Sequence, residues 1–589
     1  MFDQHVQSTG FLSDPPSHDS NDAHTDDDES GPDVDLASGS PDALERNLRQ
    51  DDYQQIMLRA HPATTNPSLL GFRELDVAHH WPTSWLGIPF DRLLSWLSST
   101  KDSFPLPPPP LAPFSLDSLS GKQCLAYDIV ADHLFGELHN TQLLMVVLGT
   151  AGTGKSFLIN AIRHMFTLHS QSDRVRITAP TGIAAANISG STIHLLLSLL
   201  KENLTGAWLN FLQASLAHVR LIVIDEYSFL SIPLFATLDR QLQKIFPAKA
   251  DKPFAGMNIL LCGDPAQLAP VHGQPVYARQ ANGTPQPTCF HLFRTVVELD
   301  QPFRQTGTDA TQVRFRELLS RVANCDAQAD DWTWLQTRRP SSLMSADNAS
   351  FDTHKHIVTT NNIRSNLNKR KLAKLSPIMV VAPSDDSART IDLNEYNDDD
   401  STTDDGPQLY AIGAEVMLTM NLWTEAGLVN GSCGIVDDIL KPDDDRTACV
   451  VMVNFPGYRG PSLSPSCPNV IPITQIQAMN RNGLPLTLAW AITIHKSQGM
   501  TLDRVTVDLG CSEFASGLTF VALSRAKTFN GLRVEPFDFS RFQRIQHGRH
   551  VNARRDEFDR LRRLAHSNAQ HDPADSSLPS TSSQRALPP

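Results

Sequence analysis

From Leu119 onward the chain alternates short aliphatic runs with stretches of helical period. Leu143 to Leu148, Val175 to Thr178, Leu221 to Ile224 and Asn258 to Cys262 are unbroken apolar runs of strand length. A strand apolar at every position is buried on both faces, which is the condition of a parallel strand covered by crossover helices. Helical patterns such as SFLINAIRHMF lie between the runs, so the pattern predicts an α/β fold with parallel sheets. A second alternating block starts near His356 and resumes after Leu484. The stretch between, about 380 to 480, is rich in Gly, Pro, Asp and short apolar runs and predicts a small β insertion.

The flanks read differently. Residues 1–45 are dense in Asp, Ser and Pro and cannot bury enough apolar surface to offset chain entropy, so they are expected to be a disordered acidic tail. Residues 46–118 carry Trp81, Trp85 and Trp96, which suit helices, and then PLPPPPLAP from Pro105 to Pro113, a stiff spacer. After about Gln546 a charged helical stretch runs through Arg563 and gives way to a Ser, Pro and Gln-rich end that reads as disorder. The expected division is 1–45, 46–118, a first domain at 119–305, a second at 306–380 and 480–545, the insertion at 381–479, and a tail at 546–589.

Hydrophobic residues make up 40% of the 589, enough for packed cores, and no apolar run approaches the roughly 20 residues a membrane span needs. The acidic N-terminus resembles neither a signal nor a transit peptide, so an intracellular protein, nuclear before mitochondrial, is the expectation. None of the eight cysteines forms a C-x-x-C pair, which favours free thiols over a zinc site. The net charge of −14 is local: residues 1–45 hold 12 acidic residues and no Lys or Arg, and residues 385–405 carry a net −8. Without those two segments the remainder stands at +6, which permits contacts to phosphate.

The chemistry sits at the tips of the predicted strands. Gly149-Thr150-Ala151-Gly152-Thr153-Gly154-Lys155-Ser156 matches G-x-x-x-x-G-K-[ST] between a strand and a helix. Its glycines admit backbone N–H groups to phosphate oxygens, and the helix N-terminus adds a favourable dipole. Lys155 would contact the β- and γ-phosphates and Ser156 would bind Mg²⁺. In LIVIDEYS the buried strand ends on Asp225, a second Mg²⁺ ligand, and Glu226, a general base for the attacking water. NILLCGDPAQLAP repeats the pattern and brings Gln267 to a strand tip, where it could sense the γ-phosphate. Arg304 in QPFRQ and Arg525 in FVALSRAK could supply positive charge to the transferring phosphoryl group.

With these segments in order, residues 119 to 532 resemble a superfamily-one DNA helicase of the petite integration frequency (Pif) family, near the RecD-type enzymes. LSGKQ is similar to the adenine-reading motif, with Gln123 as reader. APTGIAA and GSTIH resemble strand-contacting motifs, and AITIHKSQGMT the coupling motif of the second domain. GAEVMLTMN and GLVNGSCGIV resemble the family's β-barrel insertion, an SH3-like unit. The resemblance implies two RecA-like P-loop domains with ATP and Mg²⁺ between them, and single-stranded or forked DNA across both. It assigns DNA contact to Thr181, Thr192, His194, His495, Lys496 and Ser497, and arginine-finger roles to Arg304 and Arg525. It implies a monomeric motor that moves 5′ to 3′ and unwinds duplex in replication, repair, recombination or telomere maintenance.

Some positions depart from the family's pattern. Tyr227 stands where smaller or aliphatic residues are usual, Pro265 and Ala266 where aromatic ones are frequent, and the stretch between GSTIH and the Asp-Glu strand is short. A short wedge would suit an ATPase that remodels protein–DNA complexes without unwinding. A decayed transposon-derived copy is the other alternative, but a nuclease domain is not evident: His354-Lys355-His356 lacks the apolar middle residue and a catalytic Tyr.

Overall fold

The computed structural model describes residues 69–104, 115–136, 141–197, 205–270, 273–278, 289–381, 407–442, 449–478, 481–510, 513, 517–546 and 551–570. The acidic tail, the Pro105–Pro113 spacer, the acidic stretch 385–405 and residues 571–589 lie outside them.

The first domain is a six-stranded parallel sheet. Its order is Ser191–Thr192, Val175–Ala179, Leu221–Ile224, Asn258–Gly263, Leu144–Gly149, Thr295–Leu299. Alternation sorts the central strand: Val146 and Leu148 enter one core with helices Gly206–Leu216 and Ile232–Ile245. Met145 and Val147 enter the other, with helices Gly121–Phe135 and Lys155–Leu168. Helices on both faces leave the strand tips as the open edge where ligands of parallel sheets bind.

A second, four-stranded parallel sheet runs Ala491–Thr493, His356–Val358, Val505–Val507, Leu532–Val534. The parallel strands match the expected α/β class, and the sheet's core includes Phe315, Leu318, Ile492 and Val521. Lys355, beside His356, is a structural cation: its Nζ donates to Glu415 and to the Ala489 carbonyl.

The insertion is an antiparallel sheet ordered Val470–Thr474, Val450–Asn454, Cys433–Leu440, Glu415–Leu418, Leu486–Leu488. It takes in Leu486–Leu488, beyond the expected boundary at 479. Among the described residues its two outer strands do not pair, so these strands form an open sheet where the resemblance implied a closed barrel.

Residues 69–104 have a place the pattern of tryptophans did not reveal. A hairpin, Ser84–Trp85 with Ile88–Pro89, leads into helix Phe90–Ser103. Trp85, Phe90 and Leu93 pack on Leu440, Val450, Met452 and Val470 of the insertion sheet. Asp76 accepts from the Ile378 N–H at 2.8 Å, and Arg73 donates to the Leu375 carbonyl at 2.9 Å. None of the seven cysteines among the described residues is in a disulfide. No described helix is long and apolar enough to cross a membrane.

Candidate functional site

One cleft of about 900 Å³ lies at the strand tips between the two parallel sheets. Its wall includes Ala151, Gly152, Gly154, Lys155 and Ser156 of the phosphate loop together with Asp225, Glu226, Gln267, Arg304 and Arg525. Thr181, Thr192, His194, His495 and Lys496 line the same cleft.

The loop Gly149–Ser156 leaves a buried strand and enters helix Lys155–Leu168. Gly152 and Gly154 have φ of +90° and +83°, which L side chains avoid. A Cβ at Gly152 would also lie 2.4 Å from Arg304 Cβ. Glycine there lets the Arg304 segment close on the loop, and the Phe303 N–H donates to the Gly152 carbonyl at 2.7 Å. Lys155 Nζ donates to the Gly149 carbonyl at 2.6 Å and the Thr150 carbonyl at 3.2 Å.

Asp225 is buried, and burial pushes its carboxyl up to about 7, aided by the charge of Glu226 and opposed by Lys155. Glu226 adopts φ +53°, costly for a residue with a Cβ, and its N–H donates to Asp225 Oδ1 at 3.0 Å. Its buried Oε2 has no protein partner. A carboxyl raised by burial beside an unpartnered carboxylate oxygen is an environment that a cation would relieve. The donor pair Ser156 and Asp225 suits Mg²⁺, which takes few protein ligands and completes its shell with water and phosphate oxygens.

Burial lowers the Arg304 guanidinium, whose charge Glu226 supports. Arg304 Nη1 is buried without a partner. Arg525 is 1% exposed, and burial, reinforced by Arg304, pushes it down to about 9. The two guanidiniums thus share one field with Glu226. Arg525 is held by its own domain, donating through Nε to Val521 O at 2.8 Å and through Nη2 to Ser524 Oγ at 2.7 Å.

Gln267 is buried between the domains. Its Nε2 donates to Asp264 Oδ2 at 3.4 Å, and its Oε1 accepts from Gln498 Nε2 of the second domain at 2.8 Å. Asp264 is fully buried, and burial raises its carboxyl while Lys155 pulls it back.

Two of the expected residues are placed otherwise than expected. Gln123 is 1% exposed and does not line the cleft. Its Oε1 accepts from the Ser120 N–H at 2.9 Å in a capping box, and its Nε2 donates to the Gly154 carbonyl at 3.2 Å. It braces the phosphate loop from behind. Ser497 is fully buried and its hydroxyl donates to the Ile494 carbonyl at 2.7 Å, so it closes a turn and presents nothing to the cleft.

Thr181 and Thr192 face the cleft while capping: Thr181 Oγ1 accepts from Ala184 N–H and Thr192 Oγ1 from Leu195 N–H, each at 3.3 Å. Burial lowers both His194 and His495, favouring neutral imidazoles. Lys496 Nζ donates to Asn430 Oδ1 at 2.8 Å. Asn421 and Asn430 of the insertion, and Gln498, also line the cleft and were not singled out in the sequence. All three lie within or at the end of the quoted motifs. No period or charge separates an interfacial amide there from a turn-forming one.

Residues 118–331 match the family model of the PIF1-like helicase. The chain is 31% identical over 418 residues to the ATP-dependent DNA helicase PIF1 of Homo sapiens, covering 66% of this chain and 58% of that protein. It is 26% identical to the ATP-dependent DNA helicase Pif1 of Psychrobacter sp., covering 70% of this chain and 67% of that one. Its fold is similar to the crystal structure of Pif1 helicase from Candida albicans, with TM-score 0.53, 24% identity, and 75% and 99% of the two chains covered. Bacteroides Pif1 in complex with ADP-AlF3 and single-stranded DNA gives TM-score 0.53 at 23% identity, with 76% and 97% covered.

Proposed function

We propose that this chain, whose residues 118–331 match the PIF1-like helicase model, is a member of that family and an ATP-dependent DNA helicase. The activity is proposed for the whole protein although the chain spans 58% of the human relative's length. One observation carries it: the phosphate loop, the carboxylates, both arginines and the polar strand-contact residues open into a single cleft between two parallel-sheet domains.

In this reading the loop N–H groups and Lys155 hold the phosphates of ATP, with Mg²⁺ on Ser156 and Asp225 neutralising their charge. Glu226 orients the attacking water, and its unpartnered Oε2 suits that role. Gln267 reports the γ-phosphate, while Arg304 and Arg525 stabilise the charge of phosphoryl transfer from the two domains. Closure requires both domains, so each turnover moves Thr181, Thr192 and His194 relative to His495 and Lys496. Hydroxyls, imidazoles and one amine suit backbone contacts that ignore sequence. Gln123 supports the loop and Ser497 the turn carrying Lys496.

The relatives' names support DNA as the track, single-stranded in one solved structure; forked DNA, 5′ to 3′ movement and a monomeric motor are proposed by family likeness. The cellular roles proposed are replication, repair, recombination or telomere maintenance. The test is ATP hydrolysis with and without single-stranded DNA, and strand separation from duplexes tailed at the 5′ or the 3′ end. Unwinding from the 5′ tail is expected. Hydrolysis without unwinding would make the protein a remodeller, and neither activity in a folded protein would make it a decayed copy.

A further inference from the structure

Helix Val551–Gln570 follows the second domain in sequence but packs along the edge strand Thr295–Leu299 of the first. One face, Val551, Arg554, Phe558, Leu561 and Leu564, repeats at helical spacing. Leu561 is fully buried in the first domain's core with Tyr227 and Phe290. Arg562 Nε donates to Glu298 Oε1 at 2.9 Å, and Asn568 Nδ2 to the Arg294 carbonyl at 3.2 Å.

The other end of the helix holds the second domain. Arg554 is buried and donates to the Ala323 carbonyl at 3.0 Å and to Cys325 Sγ at 2.6 Å. Arg555 pairs with Asp326 at 3.1 Å. Ala323 closes helix Ala310–Ala323, whose Phe315 and Leu318 sit in the second domain's core.

Between the two anchors the helix reaches toward the catalytic turn. Arg560 pairs with Glu557 at 2.7 Å and lies 5.9 Å from the Phe290 ring centroid. The Phe290 ring is 5.9 Å from that of Tyr227, the residue after Glu226. Tyr227 is fully buried, and a Cβ at Gly263 would sit 2.7 Å from its ring, so its position is fixed on that side too. Glu226 itself is in a strained left-handed conformation, which persists where the surroundings over-determine it.

We propose that this helix is a strap that transmits the position of the second domain to Glu226, with Tyr227 as the positioning residue at its end. The inference rests on the reading of Glu226 as the group that orients water during ATP hydrolysis. The strap also accounts for the aromatic residue that departs from the family's pattern, since the Tyr227 ring couples the catalytic turn to Phe290 and the helix.

The test is a double-mutant cycle on the full chain, read as kcat and KM for ATP with saturating single-stranded DNA. Arg554→Met and Tyr227→Leu should each lower kcat about tenfold and leave KM within about twofold. Tyr227→Phe should restore kcat to near the parent value. The double variant should be no slower than the slower single variant. Multiplying effects, or losses confined to KM, would overturn the strap. If a variant fails to fold, hydrogen exchange on the parent decides: amides of 224–230 and 551–556 should change protection together when ADP–aluminium fluoride is added. A change in the first segment alone would overturn the proposal. A parent without ATPase activity removes the reading of Glu226. A parent that hydrolyses ATP and yields independent variants removes the strap alone.

Discussion

Replacing Gln498 by alanine tests how the two domains sense each other across the cleft. Gln267 and Gln498 are 4% and 8% exposed, and their side chains meet at 2.8 Å. In Gln498→Ala the Oε1 of Gln267 loses its donor while remaining buried. Leaving such an acceptor unsatisfied costs about 1–3 kcal/mol, more than the bond's net worth when both partners are present. The cost falls on the arrangement in which the domains touch, since an open cleft lets water reach Gln267. Closure should therefore weaken by a factor of roughly 5 to 150. Steady-state ATP hydrolysis with saturating single-stranded DNA should show kcat/KM for ATP reduced by a factor in that range. Thermal melting should be little changed, because neither residue belongs to a domain core. A kcat/KM within about twofold of the parent would refute the idea that this contact carries closure.

Lys155→Ala should abolish ATP hydrolysis while circular dichroism and melting stay those of the parent; turnover near the parent rate would remove the phosphate-loop assignment. Glu226→Gln should retain ATP binding and hydrolyse about 10²- to 10⁴-fold more slowly, measured by filter binding and single turnover; unimpaired turnover would exclude Glu226 as the base. Burial, with Arg533 and Lys371 nearby, pushes His356 down to about 4. The unfolded chain then binds the proton more readily, so the stability from neutral His356 is complete above about pH 6.5 and is lost as pH falls toward 4. His356→Asn should flatten that part of the curve, by up to about 3 kcal/mol, in urea melts between pH 4.5 and 7. An unchanged slope would count against it.

The strands were legible where burial on both faces imposes a continuous apolar run. Leu221–Ile224 is such a run, and its tip carries Asp225 and Glu226. Thr295–Leu299 was not, because Thr and Glu interrupt it at a sheet edge. The phosphate loop was legible since its glycines answer a local backbone requirement at Gly152 and Gly154. The directions of Gln123 and Ser497 were not legible, because a motif fixes a residue type but not the direction of its side chain. Capping at Ser120 turns Gln123 onto the loop, and the turn at Ile494 takes up the Ser497 hydroxyl. Gln498 was not singled out because its partner Gln267 lies 231 residues away, and Asn430 because Lys496 lies 66 residues on; Asn421, which accepts from the Asn430 N–H, reads in the sequence as an ordinary turn amide. His356, part of the His-Lys-His triplet, begins a parallel strand of the second domain, which explains its position without nuclease chemistry.

The docking of residues 69–104 on the insertion has a consequence for how the chain is made. Arg73 meets Leu375 across 302 residues of sequence, and Phe90 and Leu93 pack on strands further along still. At about 5–20 residues per second, a ribosome delivers Leu375 roughly 15–60 s after Arg73. For that interval Trp85, Phe90 and Leu93 have emerged without the surface that covers them. The strands of the first domain's sheet lie entirely between the two halves of this contact, and that sheet can form while they wait. Synthesis therefore completes this part of the motor from its middle outward, and a segment made before the first domain finds its place after it.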